Sequence, residues 1–207
     1  MVGDSLAEEA APYLQRLLGG KAFVPQFFAG TAPCDWLGKD LQATETSIVV
    51  ISFTGNSRTP CMSDGAGGYL HGQALVDKYR ADIGALIAEA RSAGAHALLV
   101  GQPTRASVVA GNDEVQGINH VYTDLADASG ISFVDAGAAV ETADGSYAER
   151  LACLPGEAEC AASGSNDIRN DDGLHFCPGP PTPGPCPVYS SGAFRFASAI
   201  AVAVNAL

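Results

Sequence analysis

The sequence predicts an α/β fold, a three-layer α/β/α sandwich built on a parallel sheet. Three observations carry this. The run Ser47–Phe53 (Ser-Ile-Val-Val-Ile-Ser-Phe) is almost wholly apolar, as expected of a parallel strand buried on both faces. Residues Gln73–Ala93 carry Leu75, Val76, Tyr79, Ile83, Leu86, Ile87 and Ala90 as one stripe at helical spacing. Strand-like and helix-like stretches alternate along the chain, which implies crossover connections and parallel pairing.

Each element follows in order. Ser5–Leu18 has helical spacing (Leu6, Ala10, Tyr13, Leu14, Leu17, Leu18) and a Gly19-Gly20 stop. Ala22–Ala29 reads as a strand. Pro25 assigns it to a sheet edge, because proline cannot donate to the ladder. After Ser47–Phe53 comes a glycine-rich loop from Thr54 to about Gly72, then the helix Gln73–Ala93. Ala97–Val100 is a short buried strand, Glu114–Ala128 a helix and Ile131–Val134 the last strand. Tyr147–Val188 reads as a long ordered loop, and Tyr189–Leu207 as an apolar closing helix. A length of 207 residues without internal repeats fits a single domain over 1–207.

Composition narrows the function classes. Hydrophobic residues are 47 % and charged residues 16 %, so a sizeable core can form. The formal net charge of -12 repels nucleic-acid phosphates and anionic lipid heads, so neither is expected as a partner. None of the six cysteines forms a C-x-x-C pair, which argues against zinc. An even number of loop cysteines fits disulfides in an oxidising compartment, with connectivity left open by spacing alone.

Several short motifs fall at predicted strand ends, where ligands bind in such sheets. Gly3-Asp4-Ser5-Leu6 opens the first helix, where unpaired backbone N–H groups can face an oxyanion. Ser5 and Glu8 also fit a plain capping box, S-x-x-E. Gly55-Asn56 follows the buried strand, and an amide there can donate to an oxyanion; a simple turn explains the pair equally. Gly30 ends the edge strand and offers a backbone N–H. Asp172-Gly173-Leu174-His175 spaces an acid and an imidazole three residues apart. The acid can orient one ring nitrogen and leave the other for a serine; a solvated acidic turn is the bland alternative.

Other constellations fail. Ala7 stands where a G-x-S-x-G elbow needs glycine. Ile168 and Gly179 fall on calcium-ligand positions of an EF-hand aligned at Gly173. Gly65-Ala66-Gly67-Gly68 is not followed by the lysine of a P-loop. His71, His96 and His120 lack ligand-like spacing and read as structural or solvated, with His71 the best placed to face a cleft.

Taken together and in order, Gly3-Asp4-Ser5-Leu6, Gly30, Gly55-Asn56 and Asp172–His175 resemble the blocks of the SGNH hydrolases, also called the GDSL esterase/lipase family, here of a secreted or envelope, actinobacterial type. The resemblance implies a flavodoxin-like sheet of order 2-1-3-4-5, which puts the Pro25 strand at an edge and the first strand at the centre. It implies Ser5 as nucleophile, His175 as base and Asp172 as its orienting acid. Ser5 N–H, Gly30 N–H and the Asn56 amide would form the oxyanion hole. No metal and no organic cofactor is needed. The substrate would be a small-molecule acyl ester. Hydrolysis and O-acyl transfer to a carbohydrate hydroxyl both fit these blocks, as does a silent carbohydrate- or lipid-binding relative.

Two departures from the family pattern stand out. Ser57 replaces a common aspartate after the asparagine, and only Met1 and Val2 precede the nucleophile block. We therefore expect an export signal and part of the first strand upstream of Met1, and a secreted or envelope location. Cys34 and Cys61 follow strand ends opening on one face of the sheet, so they are expected to pair. Cys153–Cys160 and Cys177–Cys186 are close in sequence and fall on either side of the Asp172–His175 turn. Trp36, Tyr69 and Tyr189 are candidates for stacking on a sugar.

Overall fold

The computed structural model describes residues 1–179 and 184–207. Residues 180–183, part of the expected long loop, lie outside them. The chain forms β1 (Val2–Gly3), α1 (Ser5–Leu17), β2 (Gln26–Phe27), β3 (Ile48–Ser52), α2 (Gly72–Ser92), β4 (His96–Val100), α3 (Asn112–Ser129), β5 (Ser132–Val134), β6 (Arg150–Ala152), β7 (Ser165–Asp167) and α4 (Ser191–Ala206). The first five strands make one parallel sheet in the order β2-β1-β3-β4-β5.

The strand period of two explains the layers. Val49, Ile51, Ala97 and Leu99 point to one face and pack under α2 and α3. Val50, Leu98 and Val100 point to the other and pack under α1 and α4. Both faces are covered, which is why β3 and β4 read as apolar runs rather than alternating ones.

The first two strands are the shortest. The expected strand Ala22–Ala29 shrinks to Gln26–Phe27. Its central partner β1 offers only the registers Val2↔Gln26 and Gly3↔Phe27, and Pro25 has no N–H. β1 in turn pairs Val2↔Ile51 and Gly3↔Ser52. Gly3 is required there, since a Cβ would meet Ala7 Cβ and Ser52 O, each at 2.5 Å. A cavity of about 560 Å³, lined by Met1, Leu14, Phe23, Leu41, Ile48 and Val204 among others, lies at the amino end of the sheet. It is at the opposite end from Ser5.

The expected loop Tyr147–Val188 contains an antiparallel hairpin, β6–β7, which alternation alone did not reveal. Buried Arg195 and Glu157 (Nε–Oε1 2.7 Å) pin the hairpin connection to α4. All three expected disulfides form: Cys34–Cys61, Cys153–Cys160 and Cys177–Cys186. Among the described residues no helix is long and apolar enough to cross a membrane.

Candidate active site

Ser5 is the first residue of α1, at the carboxyl end of β1. The capping box that Ser5 and Glu8 also fit in sequence does not form. Asp4 is the N-cap instead, with Oδ1 accepting from Leu6 N at 3.3 Å. Ser5 Oγ is therefore free of capping, and it lies 3.0 Å from His175 Nε2. His175 Nδ1 lies 2.6 Å from Asp172 Oδ2. The other oxygen of Asp172 accepts from Leu174 N at 2.8 Å and His175 N at 2.9 Å. Burial alone would raise the Asp172 carboxyl, but the bonds from the His175 ring and these N–H groups outweigh it. They hold the carboxyl below its ordinary value. Asp172 is thus an anion locked in one orientation.

The turn bearing His175 is fixed from several sides. Gly173 has φ +71°, and a Cβ there would stand 2.4 Å from Ala106 Cβ. Its carbonyl accepts from Ala106 N at 2.9 Å, which brings the loop after β4 against the turn. Asn170 N donates to His175 O at 2.7 Å, and Asn170 Nδ2 donates to Cys177 O at 2.6 Å and to Gly179 O. The buried guanidinium of Arg169 donates to Leu174 O (2.7 Å) and Thr104 O (3.1 Å) and lies 4.8 Å from the Phe176 ring centre. Burial lowers it to about 10. Phe176 N donates to Glu9 Oε2 at 2.7 Å, and Phe176 O accepts from Ser190 Oγ, the cap of α4, at 2.7 Å. The Cys177–Cys186 bridge follows directly.

Asp4 is the second organiser. It is fully buried, and Oδ2 accepts from Thr54 N (2.6 Å), Thr54 Oγ1 (2.9 Å) and Asn56 Nδ2 (3.0 Å). Burial pushes its carboxyl up to about 6, against the pull of the Thr54 and Leu6 bonds and the Arg105 charge. Arg105 donates to Thr54 O and to Ala110 O, and so ties the β3 and β4 loops together.

The expected oxyanion donors divide into two kinds. Ser5 N and Gly30 N have no hydrogen-bond partner among the described residues. Gly30 sits in the turn after β2, at φ +79°, and its neighbours Phe28 N (3.3 Å) and Thr31 Oγ1 (3.2 Å) both donate to Gly3 O. Asn56 is held beside the nucleophile block, but Nδ2 already donates to Asp4 Oδ2 and, at 3.2 Å, to Thr31 O. One of those bonds has to be given up before the amide can reach an oxyanion.

The remaining candidates serve elsewhere. His96 bonds Ser132 Oγ at 3.1 Å across β4–β5, and His120 lies exposed on α3. His71 is exposed at the start of α2. Tyr189 packs edge-on against Tyr13, while Tyr69 is 45 % exposed. Trp36 Nε1 donates to Thr31 Oγ1 at 3.1 Å, and Lys39 lies over its ring. The two groups of metal-type side chains among the described residues each contain a disulfide pair, whose sulfurs are not thiolate ligands. The sequence reading missed Glu9, Arg105 and Arg169. The signal was faint: Glu9 lies one helical turn from Ser5, and the two arginines lie close to glycines of the site in sequence or space.

Comparison with solved structures extends the fold. A protein described as an acylhydrolase, from Bacteroides fragilis, superposes with a TM-score of 0.63 at 15% identity, over 99% of this chain and 85% of that one. A GDSL-like lipase from Bacteroides thetaiotaomicron gives 0.59 at 15% identity, over 100% and 87%. A mutant acetyl-xylooligosaccharide esterase from Geobacillus stearothermophilus gives 0.59 at 17% identity, over 97% and 90%. No curated protein matches the sequence. The sheet order and helix layers are those of the SGNH/GDSL hydrolase fold. A family model described as a protein of unknown function, DUF459, matches residues 1–179, and the chain belongs to that family, whose fold is the SGNH fold.

Proposed function

We propose that the chain is a serine-dependent acyl-ester hydrolase. The observation that carries this is the continuous relay from Ser5 Oγ through the His175 ring to Asp172 Oδ2, at 3.0 and 2.6 Å. In the reading we adopt, Ser5 Oγ attacks the acyl carbonyl while His175 Nε2 takes its proton. Asp172 holds the Nδ1–H tautomer and stabilises the imidazolium. The free N–H groups of Ser5 and Gly30 receive the oxyanion, joined by Asn56 once its amide turns from Thr31. His175 then protonates the leaving alcohol. Water, deprotonated by the same imidazole, releases the acid from the acyl-serine.

The side chains of His175 and Asp172 are 20% and 27% exposed, so water has access to the relay. That favours hydrolysis over acyl transfer to a sugar. The neighbours' ester substrates, acetyl-xylooligosaccharides among them, support short acyl groups on carbohydrate as the first class to try. The disulfides are consistent with a secreted or envelope enzyme. A single domain over residues 1–207 is part of the same proposal.

The test is a fluorophosphonate probe followed by a chain-length series of activated esters, with and without sugar acceptors. Labelling of Ser5 and release of free acid are expected. An unlabelled Ser5 in folded protein would overturn the hydrolase reading, and acylated sugar as the main product would convert it to a transferase.

A further inference from the structure

Ser5 and Glu9 stand four residues apart on α1 and so share one face of the helix. Both reach the same short segment. Ser5 Oγ lies at the His175 imidazole, and Glu9 Oε2 accepts from the next backbone N–H, that of Phe176. Glu9 is 5% exposed. The Cys177 N–H also pulls on this carboxyl, but accepting from backbone N–H groups does not require a charge. A buried glutamine would accept the same bond without the desolvation cost of an anion. The charged groups facing Glu9 all come from the segment 169–175. They are His175 and Asp172, and Arg169, whose amino groups are spent on Leu174 O and Thr104 O. The nearby Cys177 and Cys186 sulfurs form a disulfide and do not titrate.

We propose that Glu9 is a positioning residue of the candidate active site: it clamps the His175–Phe176 backbone to the helix that bears Ser5, and its negative charge favours the imidazolium that forms when Ser5 loses its proton. This inference rests on the serine-hydrolase reading. Burial pushes the Glu9 carboxyl up to about 7, against the pull of the Phe176 N–H and the His175 charge. Its charge is therefore present above neutral pH and lost below it. Two deprotonations, of His175 and of Glu9, then govern kcat/KM on the acid side. The acid limb falls more steeply than a single ionisation allows.

The experiment compares wild type and Glu9→Gln over pH 5 to 9 with an activated acetyl ester, using fluorophosphonate labelling of Ser5 as a control. Glutamine keeps the acceptor for Phe176 N–H and removes the charge. The variant is expected to fold, to bind ester with unchanged KM and to lose kcat by about tenfold at pH 8, the effect of roughly one pKa unit of lost stabilisation. Its acid limb should relax to a single ionisation. A variant with wild-type kcat and a wild-type profile would reduce Glu9 to a neutral acceptor and overturn the proposal. If Glu9→Gln does not fold, the wild-type limb decides: a single-ionisation slope overturns the proposal and a steeper one supports it. Wild-type protein that neither labels nor turns over ester removes the hydrolase reading and this inference together. Labelled, active enzyme with an unchanged variant removes only the inference.

Discussion

Asp4 takes the cap of α1, and that division of labour leaves Ser5 its hydroxyl. The first residue of a helix has no intrahelical use for its N–H either, so the proposed nucleophile and a proposed oxyanion donor coincide at one position. Replacing Ser5 by alanine removes a hydroxyl that caps nothing. Ser5→Ala is expected to abolish ester turnover and to change stability by less than about 0.5 kcal/mol, as for a substitution that opens no cavity and orphans no buried group. Turnover of a contaminant-free preparation and a denaturant melt check both halves. A loss of stability near that of a missing cap would show that Ser5 does more structural work than Asp4 leaves it.

At the level of elements, the site is a meeting of loops held by backbone geometry. α1 runs through Pro12, which lacks an N–H, because its apolar face is buried against α4. The turn Asp172–His175 is set by Gly173, which is both left-handed and in contact with Ala106. Gly173→Ala adds a methyl where none fits. It is expected to cost about 1–3 kcal/mol and to lower kcat more than it raises KM, since His175 moves and the ester-binding surface does not. Chemical denaturation and steady-state kinetics read the two effects. The Cys177–Cys186 staple closes a short loop directly after the turn. Replacing both cysteines by serine should cost about 2–3 kcal/mol by the chain-entropy account. A Tm that does not move, measured against untreated wild type, would mean that the bonds of Asn170 hold the segment without the staple.

For the molecule as a whole, two buried acids set how stability responds to pH. Asp4 is raised from 3.8 to about 6 and Glu9 from 4.5 to about 7 by burial. Both hold protons more tightly folded than unfolded. Between about pH 4 and 7 the folded chain thus binds more protons, and stability falls as pH rises. Asp172 works the other way, being lowered, so its contribution is present above its ordinary value and lost as pH falls through its folded value. The thermal midpoint is therefore expected to be highest near about pH 4 and to decline toward about pH 7, while ester turnover rises over the same range. A midpoint that climbs from about pH 4 to about pH 7 would contradict the burial of these two carboxyls as charged groups.

Much of this was legible in the sequence, for physical reasons that differ by residue. β3 and α2 declare themselves through apolar runs and a helical stripe, because both are set by which face must leave water. Ser5, Gly30 and Asn56 follow strands of the sheet, Asp172 and His175 share one turn late in the chain, and Pro25 marks the edge. The cysteines paired as expected from their positions around strand ends and the turn, although spacing alone left the connectivity open. What the tertiary structure decided was everything that depends on distant backbone. It set the length of β2, limited by a two-residue β1, and it placed the β6–β7 hairpin, whose three-residue, half-buried strands are too short to carry an alternating apolar signal. It gave the cap of α1 to Asp4 rather than Ser5, since only the approach of Thr54 and Asn56 makes Asp4 a buried hub. It engaged the Asn56 amide with Asp4 and Thr31. It also buried Glu9 and Arg169 behind His175. A charged side chain looks solvated in sequence, and only the packing of α1, α4 and the 168–179 segment removes the water around it.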